Sequence, residues 1–106
     1  MRIGIDLVAI KKFARVKKTD YAAWDKVFTP REWAYAFRGN HASEHLAGMF
    51  AAKEAWMKAS GRVGVKNVKK IEVTHTAAGA PLLNRKQGRV SISHDKAYAV
   101  AVVLIG

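Results

Sequence analysis

The stretch Gly48-Met-Phe-Ala-Ala-Lys-Glu-Ala-Trp-Met-Lys-Ala59 restricts the folds open to this chain more than any other. It is rich in alanine, methionine, lysine and glutamate and lacks proline, so it predicts a helix over about residues 43–60. Ser43 can cap its start, with Glu44 in the first turn. Lys58 lies near its end, and Gly61 can terminate it. At about 100° per residue, Leu46, Met49, Phe50 and Met57 share an apolar face, with Trp56 at its edge. Lys53 falls inside that face, where an ammonium needs a partner, either a carboxylate or a phosphate. Glu54 and Lys58 are spaced i, i+4, which alone describes a surface ion pair. The small residues Ala47 and Ala51 beside them leave room for something to approach.

Around this helix the remaining segments read as shorter elements. Residues 1–6 predict a strand with Ile3 and Ile5 on one face and Asp6 at or just past its end. Residues 7–16 have helical spacing through Leu7, Val8, Ile10, Phe13 and Val16. Thr19-Asp20 can cap a short helix running to Val27. Thr29-Pro30-Arg31-Glu32 is a stronger start signal, with a capping threonine, proline at the first helical position and glutamate three residues beyond the cap. Trp33, Tyr35 and Phe37 follow before Gly39-Asn40. Past Gly61 and Gly64, Ile71, Val73 and His75 alternate as a strand. Residues 77–81 form a turn, Leu82-Leu83 a short strand and Asn84–Gly88 a polar connection. Residues 89–94 and 98–105 predict a hairpin turning at Asp95–Ala97. This order indicates an α+β fold, with helices packed on an antiparallel sheet in one domain spanning residues 1–106.

Composition narrows the chemistry. The chain has 106 residues, no cysteine, and 19 Lys+Arg against 8 Asp+Glu, a formal charge of +11. Without cysteine there are no disulfides, zinc thiolates or cysteine nucleophiles. No apolar run approaches a membrane span and no signal peptide is evident, so a soluble, cytoplasmic protein is expected. The positive charge favours a polyanionic partner, with nucleic acid the default on charge alone. The core of so small a domain is limited, which makes oligomerisation a source of further stability.

No Gly-x-Ser-x-Gly, P-loop or Gly-x-Gly-x-x-Gly motif occurs. Ser91, Ser93, His94 and Asp95 cannot form a hydrolase triad, because a strand points Ser93 and His94 to opposite faces. His41 and His45 are a weak zinc pair without a third ligand. A magnesium site needs only one or two carboxylates, since water and substrate phosphates complete the shell. Asp6 and Glu54 are the best-placed acids for one.

Three segments together resemble the holo-acyl-carrier-protein synthase family, the small 4'-phosphopantetheinyl transferases. They are Gly4-Ile-Asp6-Leu-Val-Ala-Ile10, Leu46–Ala59, and Ser91-Ile-Ser-His94-Asp95-Lys-Ala-Tyr-Ala-Val. Phe28–Trp33 and Gly79–Leu82 are similar to the family's connecting segments. The resemblance implies transfer of the phosphopantetheine arm of coenzyme A to a serine of an apo acyl carrier protein, releasing adenosine 3',5'-bisphosphate. It implies Asp6 and Glu54 as magnesium ligands, with Glu54 helping to deprotonate the serine, directly or through water, and Lys58 on the diphosphate. Ser93 and His94 join Lys58 as coenzyme A-binding residues, and Lys53 is a further candidate because its place on the apolar face calls for a carboxylate or phosphate partner. The family's carrier is acidic, which makes Lys11, Lys12 and Lys17 docking residues and accounts for the charge without nucleic acid. The resemblance also implies a homotrimer with sites between subunits.

The chain departs from the family pattern in places. Ala9 stands where a glutamate is usual, Met49 and Lys12 where arginines are common, and Asn84–Gly88 is a short connection. Ala9 and Met49 are the basis of a rival reading, an inactive homologue that binds a carrier protein. A nucleic-acid-binding module is the other rival, supported by Lys66, Lys69, Lys70, Arg85 and Lys86. Against it, the charges are dispersed and no recognition motif is present.

Overall fold

The computed structural model describes residues 1–62, 68–84 and 88–106. Lys66, Arg85, Lys86 and most of the Asn84–Gly88 connection therefore lie outside the described residues. Strand β1 (Arg2–Ala9) opens the chain and leads through a 3-10 turn (Ile10–Phe13) and a second one (Lys18–Asp20) into the short helix α1 (Tyr21–Trp24). Helix α2 (Pro30–Ala36) and the long α3 (Ala42–Ser60) follow, then β2 (Val73–His75), β3 (Pro81–Leu83), β4 (Arg89–His94) and β5 (Tyr98–Ile105). The fold is α+β. One antiparallel sheet has the order β1-β5-β4, and β2 pairs with β3 in a separate two-stranded ribbon.

The first strand corrects the sequence reading. Asp6 sits within β1, not at its end, and residues 7–9 are strand where helical spacing was expected. Leu7, Val8 and Ala9 pair with Val100, Ala99 and Tyr98. That distant partner overrides the local pattern, because the ladder to β5 and the packing under α3 favour the extended backbone there. The expected helix shrinks to the single 3-10 turn at Ile10–Phe13, whose Ile10 and Phe13 are buried.

Helix α3 lies across the inner face of the sheet. Its buried residues run right around it: Leu46, Ala47, Met49, Ala51, Ala52, Ala55, Trp56, Met57 and Ala59. The small residues bring helix and sheet together. A Cβ at Gly4 would collide with the Ala55 carbonyl oxygen, and one at Gly48 would come within 3.0 Å of Ile92. Ala47 and Ala51 are fully buried, so the room expected beside them is filled by the protein itself. The cap position is His41, two residues before the expected Ser43, with no side-chain cap bond. It ends at Gly61, whose φ of 73° is the left-handed conformation that stops a helix.

Helix α2 starts as its sequence predicts. Thr29 accepts from the Glu32 backbone N–H at 3.1 Å, and Glu32 accepts from the Thr29 N–H at 2.8 Å. Glu32 does more than cap. Its other oxygen accepts from the Val73 N–H at 2.8 Å, tying α2 to β2.

Candidate functional site

Glu54 sits on the third quarter of α3, facing the middle of β1. Asp6 is an even-numbered residue of β1, so its side chain turns to the helix side with Gly4 and Val8, while Ile3, Ile5 and Leu7 turn away. The two carboxylates thus meet across the strand–helix seam and line one cleft of about 410 Å³ with Val8, Ala9, Lys12 and Phe50. Ala9 is part of that wall, and its small side chain leaves the space open.

Lys58 is one turn beyond Glu54. Its ammonium reaches Asp6 Oδ1 at 3.0 Å and donates to the Ile5 carbonyl at 3.0 Å. The expected Glu54–Lys58 ion pair is replaced by a strand–helix pair, Lys58–Asp6. Glu54 forms no ion pair within 4.0 Å among the described residues. Burial, with the Asp6 charge adding to it, pushes the Glu54 carboxyl above its ordinary value, and Lys58 and Lys12 oppose the rise. A carboxylate held up in this way is a better proton acceptor than an ordinary surface glutamate.

The cleft suits a hard divalent cation. It offers two carboxylates, one of them without a cation in contact, and no imidazole or thiolate. No group of three or more His, Cys, Asp or Glu able to cage a metal occurs among the described residues. Such a donor set matches magnesium, which binds through one or two carboxylates and keeps water or phosphate oxygens elsewhere.

Lys53 does not reach the cleft. It is fully buried, as is Glu32, and their ion pair spans 2.8 Å. The Lys53 ammonium also donates to the Ile71 and Val68 carbonyls at 2.6 and 3.1 Å. All three donors are used inside the protein, so the expected contact of Lys53 with coenzyme A is corrected to a structural one. Burial pushes the Glu32 carboxyl up and the Lys53 ammonium down; each group's charge offsets that cost for the other. The partner that the apolar face demanded was hidden in the sequence because Glu32 also reads as an ordinary capping residue.

Ser93 and His94 lie apart from this cleft within one chain. Ser93 pairs with Val100, which pairs with Leu7, and it is exposed on the outer face of the sheet, opposite Asp6. His94 lies near the start of α3, with Nε2 3.8 Å from Glu44. Glu54 is roughly 15 Å further along that helix at the usual rise per residue. Met49 is buried in the core cluster. Lys11 and Lys17 are exposed, as docking residues need to be, and so is Lys12, which also lines the cleft. That second position of Lys12 was not visible in the sequence.

Residues 2–103 match the family model of the 4'-phosphopantetheinyl transferase superfamily. The chain belongs to the 4'-phosphopantetheinyl transferase superfamily. Among its curated relatives is the holo-[acyl-carrier-protein] synthase of Thermodesulfovibrio yellowstonii, 37% identical over 97% of this chain and 96% of the relative. The synthase of Moorella thermoacetica is also 37% identical, over 99% and 93%. Two solved structures share the fold. The Helicobacter pylori synthase in complex with coenzyme A gives a TM-score of 0.80 at 30% identity, covering 98% of this chain and 99% of the other. The Bacillus anthracis synthase, in complex with CoA (3',5'-ADP), gives 0.79 at 34%, covering 96% and 92%.

Proposed function

We propose that the protein is a holo-[acyl-carrier-protein] synthase that moves 4'-phosphopantetheine from coenzyme A to a serine of an apo acyl carrier protein. The observation that carries this reading is the meeting of Asp6 and Glu54 in one cleft at the β1–α3 seam, with Lys58 paired to Asp6 beside it. The names of the relatives and the coenzyme A complexes of two structural neighbours support it.

In the reaction, the serine oxygen of the carrier forms a bond to the phosphorus that bears the pantetheine arm. The bond from that phosphorus to the bridging oxygen breaks, and adenosine 3',5'-bisphosphate departs with the electron pair. Glu54 takes up the serine proton, directly or through a water. Lys58 has one donor beyond the two given to Asp6 and Ile5, and that donor can meet charge on the departing phosphate. Asp6 and Glu54 would hold magnesium, which when bound neutralises diphosphate charge and orients the two phosphoryl groups. The nucleophile belongs to the carrier, so the cleft needs none of its own.

The sheet's outer face supports the homotrimer. Ile3, Ile5 and Leu7 are 67%, 58% and 63% exposed. They pair in register with Leu104, Val102 and Val100 of β5, which makes one continuous apolar face. Ser93 lies on that same face, so association there brings it towards a neighbouring copy. Contacts from Ser93 to the nucleotide end of coenzyme A are then made between copies, while His94, on the other face beside Glu44, is left as a coenzyme A contact that this association does not account for. An acidic carrier docks on Lys11 and Lys17. No helix among the described residues is long and apolar enough to cross a membrane, which fits a cytoplasmic enzyme.

The test is to incubate the protein with coenzyme A, Mg²⁺ and apo carrier proteins and follow the carrier's mass. Gain of one phosphopantetheine by the parent, with loss of that gain in Asp6→Ala and Glu54→Ala, is expected. Near-parental transfer by both variants would refute the site, and salt-sensitive nucleic-acid binding without coenzyme A binding would favour the rival function.

A further inference from the structure

Lys12 occupies a place that carrier docking does not explain. The 3-10 turn holding it is anchored at both ends. The Ile10 N–H donates to the Ala97 carbonyl at 2.9 Å, and Phe13 is buried against Phe50, with ring centroids 5.8 Å apart. Between these anchors, the Lys12 ammonium sits 4.7 Å from the centre of the same Phe50 ring. A cation at that distance over a ring face is held there by the ring quadrupole. Lys11 makes no ion pair and no ring contact among the described residues.

Phe50, Glu54 and Lys58 follow one another at i, i+4 and i+8 along α3, so they form a stripe on one side of the helix. With Lys12 seated over Phe50, the stripe reads cation, carboxylate, cation. Lys58 stands at one end, committed to Asp6. Lys12 stands at the other, in the wall of the cleft, and forms no ion pair with any carboxylate within 4.0 Å among the described residues. A phosphoryl oxygen entering the cleft therefore finds the Lys12 ammonium on the side of Glu54 away from Lys58.

We propose that Lys12 binds the co-substrate: its ammonium receives a phosphoryl oxygen of the coenzyme A diphosphate, across Glu54 from Lys58, and does not serve chiefly to dock the carrier protein. This rests on the transferase reading above. Lysine suits the position because a compact ammonium sits on the Phe50 face and still points donors outwards. The proposal also separates lysines that the sequence groups together, placing Lys12 with the chemistry and Lys11 with the partner.

Binding of coenzyme A to the full-length protein in Mg²⁺, without any carrier present, tests it by calorimetry. Loss of one charge-assisted hydrogen bond predicts that Lys12→Ala weakens coenzyme A binding by roughly tenfold or more. Lys12→Arg should recover most of that loss, and Lys26→Ala, which removes an exposed charge elsewhere, should bind like the parent. In steady-state assays, Lys12→Ala should raise the KM for coenzyme A and leave the KM for carrier near parental. Parental coenzyme A affinity in Lys12→Ala, with a raised carrier KM, would overturn the proposal and return Lys12 to docking. An equal loss in Lys26→Ala would also overturn it, by showing an effect of net charge alone. A parent that binds no coenzyme A would instead bring down the transferase reading, and this proposal with it.

Discussion

Lys53 and Glu54 are adjacent in the chain and do opposite work. Glu54 faces the cleft, and Lys53 holds α3 to Glu32 and to the Val68 and Ile71 carbonyls. Removing one partner of a buried pair strands the other's charge, so Lys53→Ala should cost about 3–5 kcal/mol in chemical denaturation. The double variant Lys53→Met with Glu32→Gln leaves neither charge unpaired and keeps a side-chain acceptor for the Val73 N–H, so it should recover part of that loss. A double variant as unstable as Lys53→Ala would show that the stranded charge is not the source of the loss. His75 gives a second residue-scale prediction. Burial, and then the charges of His45 and Arg38, lower its pKa from the ordinary 6.5. It stacks on Tyr35 with ring centroids 3.8 Å apart. Because the folded pKa is lowered, the unfolded chain binds more protons in this window. Stability is therefore full above pH 6.5 and falls as pH drops from there through the folded value. His75→Phe keeps the stack and should flatten that part of the stability profile. An unchanged slope, measured by denaturation at several pH values, would contradict this.

At the scale of elements, the β1–α3 seam builds the site, and Gly4 governs its closeness. Gly4→Ala drives a methyl into the Ala55 carbonyl, so it should lower thermal stability and reduce transfer together, by shifting Asp6 relative to Glu54. At α2, Thr29→Ala removes one side of the capping box and should cost about 1 kcal/mol while leaving the cleft untouched. The two variants therefore separate a general loss of stability from damage to the seam. Elements with local signals were legible in the sequence. The Thr29 cap, the Gly61 stop and the Asp95 hairpin all use residues within a few positions of one another. Elements decided by remote partners were not. Residues 7–9 have helical spacing and become strand only because β5, some ninety positions away, supplies the ladder. Asp6, Glu54 and Lys58 were singled out through a family resemblance and not through local spacing, and no spacing rule puts Lys58 on Asp6 instead of Glu54. Nor does any rule show that Lys12 turns towards Phe50.

At the scale of the whole molecule, the sheet divides its labour between two faces. The inner face carries α3 and Asp6; the outer face presents Ile3, Ile5 and Leu7 to solvent. Association through that outer face predicts that Ile5→Lys shifts the protein to a monomer in analytical ultracentrifugation. It should also weaken coenzyme A binding, because Ser93 of a neighbouring copy is lost from the site. A parent protein that is monomeric at micromolar concentration would contradict the trimer and leave the cleft to act alone. If the charge of +11 attracts the proposed acidic carrier, transfer should slow as salt rises. The most direct measurement remains the mass of an apo acyl carrier protein after incubation with this protein, coenzyme A and Mg²⁺. The account predicts the addition of one phosphopantetheine per carrier with the parent and none with Glu54→Ala. A carrier mass unchanged by the parent across several apo carriers, or changed equally by Glu54→Ala, would contradict it.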